Sequence, residues 1–240
     1  MPRFYCPQPL TIGATVALPD AVAHHVHVVR LQAGAQLRLF NGTGGEYVAR
    51  LASVEKKRAA ALIEAHLARE AELPYRITLA QALPEASKMD WIIEKAVEMG
   101  VAAIQPLAAQ RCVVRLSAER AEKRQGHWQG VIVAASEQSG RNRLAQLEPL
   151  AGFGDWVARP DSAARILLTP RGGQSLADWA RGQPPQPLSL LIGPEGGYTE
   201  QEEDAAMAAG ALGLSMGPRI LRTETAGIAA VAALNAAWDR

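Results

Sequence analysis

The chain has 240 residues, 48% hydrophobic and 20% charged, the balance of a globular protein with one large domain or two small ones. Its formal net charge of +1 does not announce a nucleic-acid partner. No run of about 18 apolar residues suggests a membrane span. MPRFYCPQPL lacks the apolar core of a signal peptide. The isolated Cys6 and Cys112 make neither a disulfide framework nor a zinc site, so the expectation is reduced thiols, no metal and the cytoplasm. Charge is uneven along the chain: residues 111–143 carry +4 and residues 144–240 carry −4. The basic stretch suits either phosphate contact or a plain solvated helix face.

Residues 1–70 read as short strands. LRLFNGTGGEYVARL (37–51) has strand-like flanks around N-G-T-G-G, a hairpin signal. VALPDAVAHHVHVVRL precedes it, AALIEAHL follows, and the set predicts a small β-barrel. His24, His25 and His27 lack the carboxylate or cysteine neighbours of a metal site. REAELPYR (69–76) ends in a charged, proline-bearing stretch, which puts the domain boundary between 1–72 and 73–240.

The pattern then alternates. RITLAQAL (76–83) is a buried strand. Met89, Ile92, Ile93, Ala96 and Val97 follow helical spacing over 88–99, with capping-box spacing at Ser87 and Asp90 and a stop at Gly100. AAIQPL (102–107) is a strand and 117–138 a longer helix with Trp128, Val131, Ile132 and Ala135 on one face. ILLT (166–169) and LSLLIG (188–193) are strands flanking the helical GQSLADWARGQ. Thr199 and Glu202 form a capping box, ALGLSMG (211–217) is a short strand, and AGIAAVAALNAAW closes the chain as an alanine-rich helix. This βαβ alternation predicts a mostly parallel sheet with ligands at the carboxyl ends of its strands.

Three such ends carry polar, glycine- or proline-bearing turns: LLTPRGG (167–173), LIGPEGGYT (191–199) and LSMGPRILRTETA (214–226). Neither G-x-G-x-x-G nor the Walker A pattern occurs. Glu195, in the middle of the second loop, repels a phosphate. A nucleoside with hydroxyls and a positive centre suits it better, and S-adenosylmethionine has those features.

IGPEGGYTEQE followed by LGLSMGPRILRTETAGIAA resembles the two signature segments of the SPOUT methyltransferases, specifically the ribosomal RNA small subunit methyltransferase E family. KMDWIIEKAVEMGVAAIQPL and SEQSGR resemble that family's first helix–strand segment and middle motif; FNGTGGEY and HHVHVVRL resemble its N-terminal RNA-binding domain. The resemblance spans almost the whole chain in order, with HHVHVVRL the least exact. It implies a trefoil-knotted parallel sheet with helices on both faces, a PUA-like β-barrel at the N-terminus and a homodimer. It also implies methyl transfer from S-adenosylmethionine to N3 of a uridine in 16S ribosomal RNA, with the 30S subunit as the setting.

Methylation at N3 requires loss of the imide proton, so a base or a stabilising cation belongs beside the methyl group. Arg222 is the candidate cation. Glu224 is the candidate base or the residue that orients Arg222, the plain alternative being a first-turn carboxylate held by the helix dipole. The family's loops, carried onto matching positions, put Leu168, Thr169, Ile192, Gly193, Glu195, Gly196, Met216, Gly217, Ile220, Leu221, Arg222, Thr223, Thr225 and Ala226 around the cofactor. Glu137, Gln138 and Ser139 are weaker candidates to reach that pocket across the dimer. RNA contacts are expected from Arg3, Arg30, Arg38, Lys56, Lys57 and Arg58, with Tyr5 and Phe40 as stacking candidates. Arg141 and Arg219 suit phosphate, a partner subunit or a structural ion pair. Other readings are methylation of ribose 2′-O or transfer RNA, a non-catalytic RNA-binding protein, and an enzyme acting on small nucleotides.

Overall fold

The computed structural model describes residues 1–85 and 87–238. They form two compact units, 1–72 with 136–144, and 73–135 with 145–238.

In the first unit, strands β1 (Arg3–Tyr5), β2 (Thr15–Ala17), β3 (Gln36–Phe40), β4 (Glu46–Val54) and β5 (Ala59–Leu67) form one sheet in the order β1-β3-β4-β5-β2. The N-G-T-G-G turn joins β3 to β4 as an antiparallel hairpin, as its residues predict. Between β2 and β3 the structure corrects the strand expectation: Asp20–Val28 is a helix, α1. Its valines look like a strand by propensity. Val22, Ala23 and Val26 nevertheless lie on one helical face and are buried, while His24, His25 and His27 are exposed. Packing of that face against Leu37, Leu39, Leu51 and Ile63 overrides local preference.

The first unit is completed by residues 136–144, which the sequence reading groups with the C-terminal domain. Glu137 accepts a hydrogen bond from the Tyr5 N–H at 2.8 Å, and Arg141 pairs with Glu72.

The second unit contains β6 (Ile77–Ala82), α2 (Lys88–Glu98), β7 (Ala103–Ala108), most of α3 (Ala118–Ser139), β8 (Gln146–Leu147), β9 (Ala151–Gly152) and α4 (Phe153–Val157). It continues with β10 (Ala164–Leu168), β11 (Gln174–Ser175), α5 (Leu176–Arg181), β12 (Leu188–Ile192), α6 (Glu200–Ala208), β13 (Leu212–Ser215) and α7 (Thr223–Trp238). Every strand pairing is parallel, in the order β11-β13-β10-β12-β6-β7-β8, with β9 beside β7. β12 is buried along its whole length, the signature of a strand covered on both faces. Two groups of helices supply the cover: α2, α5 and α7 pack together, as do α4 and α6.

Helix ends follow their sequence signals with one exception. Thr199 and Glu202 form the full capping box that opens α6. Ser87 precedes α2 without a side-chain cap bond. Asp90 instead accepts hydrogen bonds from His127 Nε2 at 2.8 Å and Trp128 Nε1 at 3.1 Å, so its carboxylate ties α2 to α3.

Candidate active site

The carboxyl ends of β10, β12 and β13 lie side by side, because those strands are consecutive neighbours in the sheet. The loops leaving them enclose, with the first turns of α7 and α2, a cavity of about 380 Å³. That is the scale of a small-molecule pocket.

The shape of the β12 loop explains its glycines one at a time. A side chain at Gly193 would put its Cβ 3.0 Å from Gly197 Cα and Tyr198 N, so the turn folds too closely for one. Gly197 has φ +67°, a left-handed conformation that suits glycine. Gly196 packs against the Arg111 stem, and its carbonyl accepts from the Arg111 guanidinium at 2.9 Å. The Tyr198 phenol, buried, donates to Ile192 O at 3.0 Å. Burial raises its pKa well above the ordinary value, so it is a structural donor rather than a base. Burial also raises the Cys112 thiol, and Cys112 does not line the cavity.

Glu195 points away from any phosphate role. Its carboxylate accepts from Lys88 Nζ at 2.6 Å and from the Glu85 N–H at 3.1 Å. Burial works to raise its pKa, but the Lys88 hydrogen bond and the backbone donors outweigh that and hold it below the usual carboxylate value. Lys88 Nζ also stands 4.0 Å from Glu224 Oε2. That Glu224 oxygen is buried and has no hydrogen-bond partner among the described residues. Beneath, Gln81 Nε2 donates to Thr223 Oγ1 at 2.9 Å and Thr223 donates to Gly193 O at 2.6 Å. This chain locks the first turn of α7 to the β12 loop.

The family pattern for an RNA methyltransferase domain matches residues 71–235, and that for an RNA methyltransferase PUA domain matches 18–64. Ribosomal RNA small subunit methyltransferase E of Synechocystis is 35% identical over 94% of this chain and 74% of its own length. The Bacillus subtilis protein of that name is 32% identical over 90% and 87%. The chain belongs to the ribosomal RNA small subunit methyltransferase E family. A Neisseria gonorrhoeae member of that family, solved bound to S-adenosylmethionine, is 39% identical, superposes with a TM-score of 0.92, and covers 99% of this chain and 98% of its own.

Within this methyltransferase E fold, the cavity brings together most of the residues expected from sequence. Leu168, Thr169, Ile192, Gly193, Glu195, Met216, Gly217, Ile220, Leu221, Arg222, Thr223, Glu224 and Ala226 all line it. Gly196 and Thr225 do not: the first turns to Arg111, and the second is on the exposed side of α7. Ile220 lines the rim while remaining 84% exposed. Arg222 is exposed at the cavity, and among the described residues no carboxylate pairs with its guanidinium.

Lys88 is the residue that sequence reasoning missed. Its signal was available: it is the first residue of the helix that follows β6, and β6 is the strand next to β12. Gln81 carried no local signal, since its partner Thr223 is 142 residues away.

The basic residues proposed for RNA divide in the first unit. Arg30, Lys56, Lys57 and Arg58 are exposed. Arg3 and Arg141 are turned inward. Arg3 pairs with Glu46 at 3.1 Å, donates to Asn142, and lies 4.2 Å over the Phe40 ring. Arg141 is 2% exposed on Glu72. These guanidiniums are committed to internal carboxylates, as buried charge requires. Phe40 is 0% exposed and is a core residue rather than a stacking platform. Glu137 and Ser139 likewise belong to the first unit, where Glu137 holds the Tyr5 backbone.

Proposed function

We propose that the chain methylates N3 of a uridine in 16S ribosomal RNA, with S-adenosylmethionine as donor. Family membership supports the reaction class. The observation that carries the site is that the Glu224 carboxylate, with one buried oxygen that has no hydrogen-bond partner among the described residues, lines the same cavity as the exposed Arg222. The residues fit the donor: a glycine-lined pocket of about 380 Å³ offers backbone carbonyls and carboxylates to an ammonium and ribose hydroxyls. Leu168, Thr169, Ile192, Gly193, Met216, Gly217, Ile220, Leu221, Thr223 and Ala226 would hold it. When bound, S-adenosylmethionine supplies an electrophilic methyl group on a sulfonium.

The chain's own residues handle the proton and the charge. Glu224 takes the imide proton from N3 as the new N3–carbon bond forms. Arg222 faces O2 or O4 of the uracil, where the negative charge develops. Lys88 helps hold Glu195 below the usual carboxylate pKa and ties the β12 loop to α2.

The target uridine must leave its stack to reach the cavity. Arg30, Lys56 and Lys57 of the PUA domain would meet phosphates. The proposal extends to a PUA-like barrel over 1–72, completed by residues 136–144, a methyltransferase domain over the rest of 73–240 that ends in a trefoil knot, a homodimer, the 30S subunit as substrate and the cytoplasm as location. One observation favours the knot and one the dimer. Gly172 touches the β13 backbone too closely for a side chain, as tight threading requires. Ile220 leaves an apolar side chain uncovered at the cavity rim, as a subunit contact would.

The test is transfer from labelled S-adenosylmethionine to 30S subunits lacking their natural modifications, with nucleoside analysis. Labelled 3-methyluridine in 16S RNA is expected. Label on ribose 2′-O, on transfer RNA alone, or nowhere would overturn the assignment.

A further inference from the structure

Outside the cavity, the second unit holds an open groove of about 640 Å³ lined by Val114, Leu116 and five basic side chains, Arg115, Arg120, Lys123, Arg124 and His127. All five basic residues are exposed. At 3.6 residues per turn, positions 120, 123, 124 and 127 fall within an arc of about 100° on α3. Among the described residues, no carboxylate pairs with Arg115, Arg120, Lys123 or Arg124. His127 meets Asp90 at 2.8 Å. The acids of the same turns, Glu119 and Glu122, project outside this arc. The groove therefore concentrates four cations without carboxylate partners among the described residues in a unit whose stretch 145–240 carries −4.

We propose that this groove is a docking surface for the phosphate backbone of the RNA substrate, separate from the contacts made by the PUA domain. The inference rests on the RNA methyltransferase reading above. Evenly placed cations one helical turn apart suit a regular polyanion. A bilayer suits them less. Trp128, Ile132 and Ala135 of α3 are buried in the protein, and the groove's own apolar residues, Val114 and Leu116, are only half-exposed, which is too little apolar surface to enter lipid.

The experiment is fluorescence anisotropy of a labelled 16S fragment against full-length protein over a series of salt concentrations. Wild type is compared with the double variant Arg120→Gln/Arg124→Gln. Each lost phosphate contact lowers the slope of log K against log salt by about 0.7–0.9, so the double variant should lose about 1.4–1.8. Its Kd should rise roughly tenfold at moderate salt. S-adenosylmethionine affinity should be unchanged, which verifies the fold. An unchanged slope overturns the proposal, whether or not Kd moves. Tighter binding of polyglutamate than of RNA, lost in the double variant, also overturns it and assigns the groove to an acidic protein. If wild type forms no 3-methyluridine while the slope difference persists, the target assignment fails and the groove stands.

Discussion

Lys88 stands between Glu195 at 2.6 Å and Glu224 at 4.0 Å, and its pH behaviour follows from both neighbours. The Glu195 hydrogen bond raises Lys88 above its usual 10.5, so its contribution is complete below that pH and fades as pH rises through the higher folded value. Glu195 is held below 4.5, so its contribution is present above that pH and lost as pH falls through the lower folded value. The pair is thus intact across the neutral range. Lys88→Met should lower Tm by a constant, small amount through that range, since both groups are part-exposed. The difference should shrink toward zero only at strongly acid or strongly alkaline pH, as thermal melts across pH would read. Arg222→Ala tests the other side of the cavity. Loss of one preorganised charge at a developing anion is expected to cost about 10²–10³ in kcat. Calorimetry should show S-adenosylmethionine affinity within a few-fold of wild type. Full turnover would remove Arg222 from the chemistry.

Among the elements, the β10–β11 loop gives the sharpest contrast. A Cβ on Gly172 would lie 2.6 Å from the Leu214 carbonyl carbon and 2.7 Å from Ser215 N, both backbone atoms that cannot swing aside. The next residue, Gly173, has nothing within 4 Å. Gly172→Ala should destabilise by about 1–3 kcal/mol in denaturant titration, and Gly173→Ala by less than about 0.5. Elements with a local cause were legible in the sequence. The period of Met89, Ile92 and Ile93 announced α2, and Thr199 with Glu202 announced the start of α6. The loops that enclose the cavity were legible too, because strand ends in a parallel sheet converge. What escaped was set at long range. The α1 segment is helical because of what it packs on, and Arg3 and Arg141 face inward because Glu46 and Glu72 wait there. Neither carboxylate is near its arginine in sequence.

At the scale of the whole molecule, residues 136–144 return to complete the first unit. Glu137 holds the Tyr5 backbone, Asn142 and the Arg141 carbonyl accept from Arg3, and the Arg141 guanidinium holds Glu72. A fragment of residues 1–72 alone leaves Arg3 and Glu72 without those partners. It should melt well below the full chain, or fail to fold, by circular dichroism. Adding residues 136–144 as a tethered segment should restore much of the loss. The same division has a consequence for inheritance. The chain passes between its two units after residues 72, 135 and 144, so the N-terminal unit cannot be exchanged between genes by one crossover. A recombinant that takes only the first stretch from a distant relative brings a foreign Arg3 and Glu72 to the resident Glu137, Arg141 and Asn142. Lineages of this family should therefore alter those two stretches together.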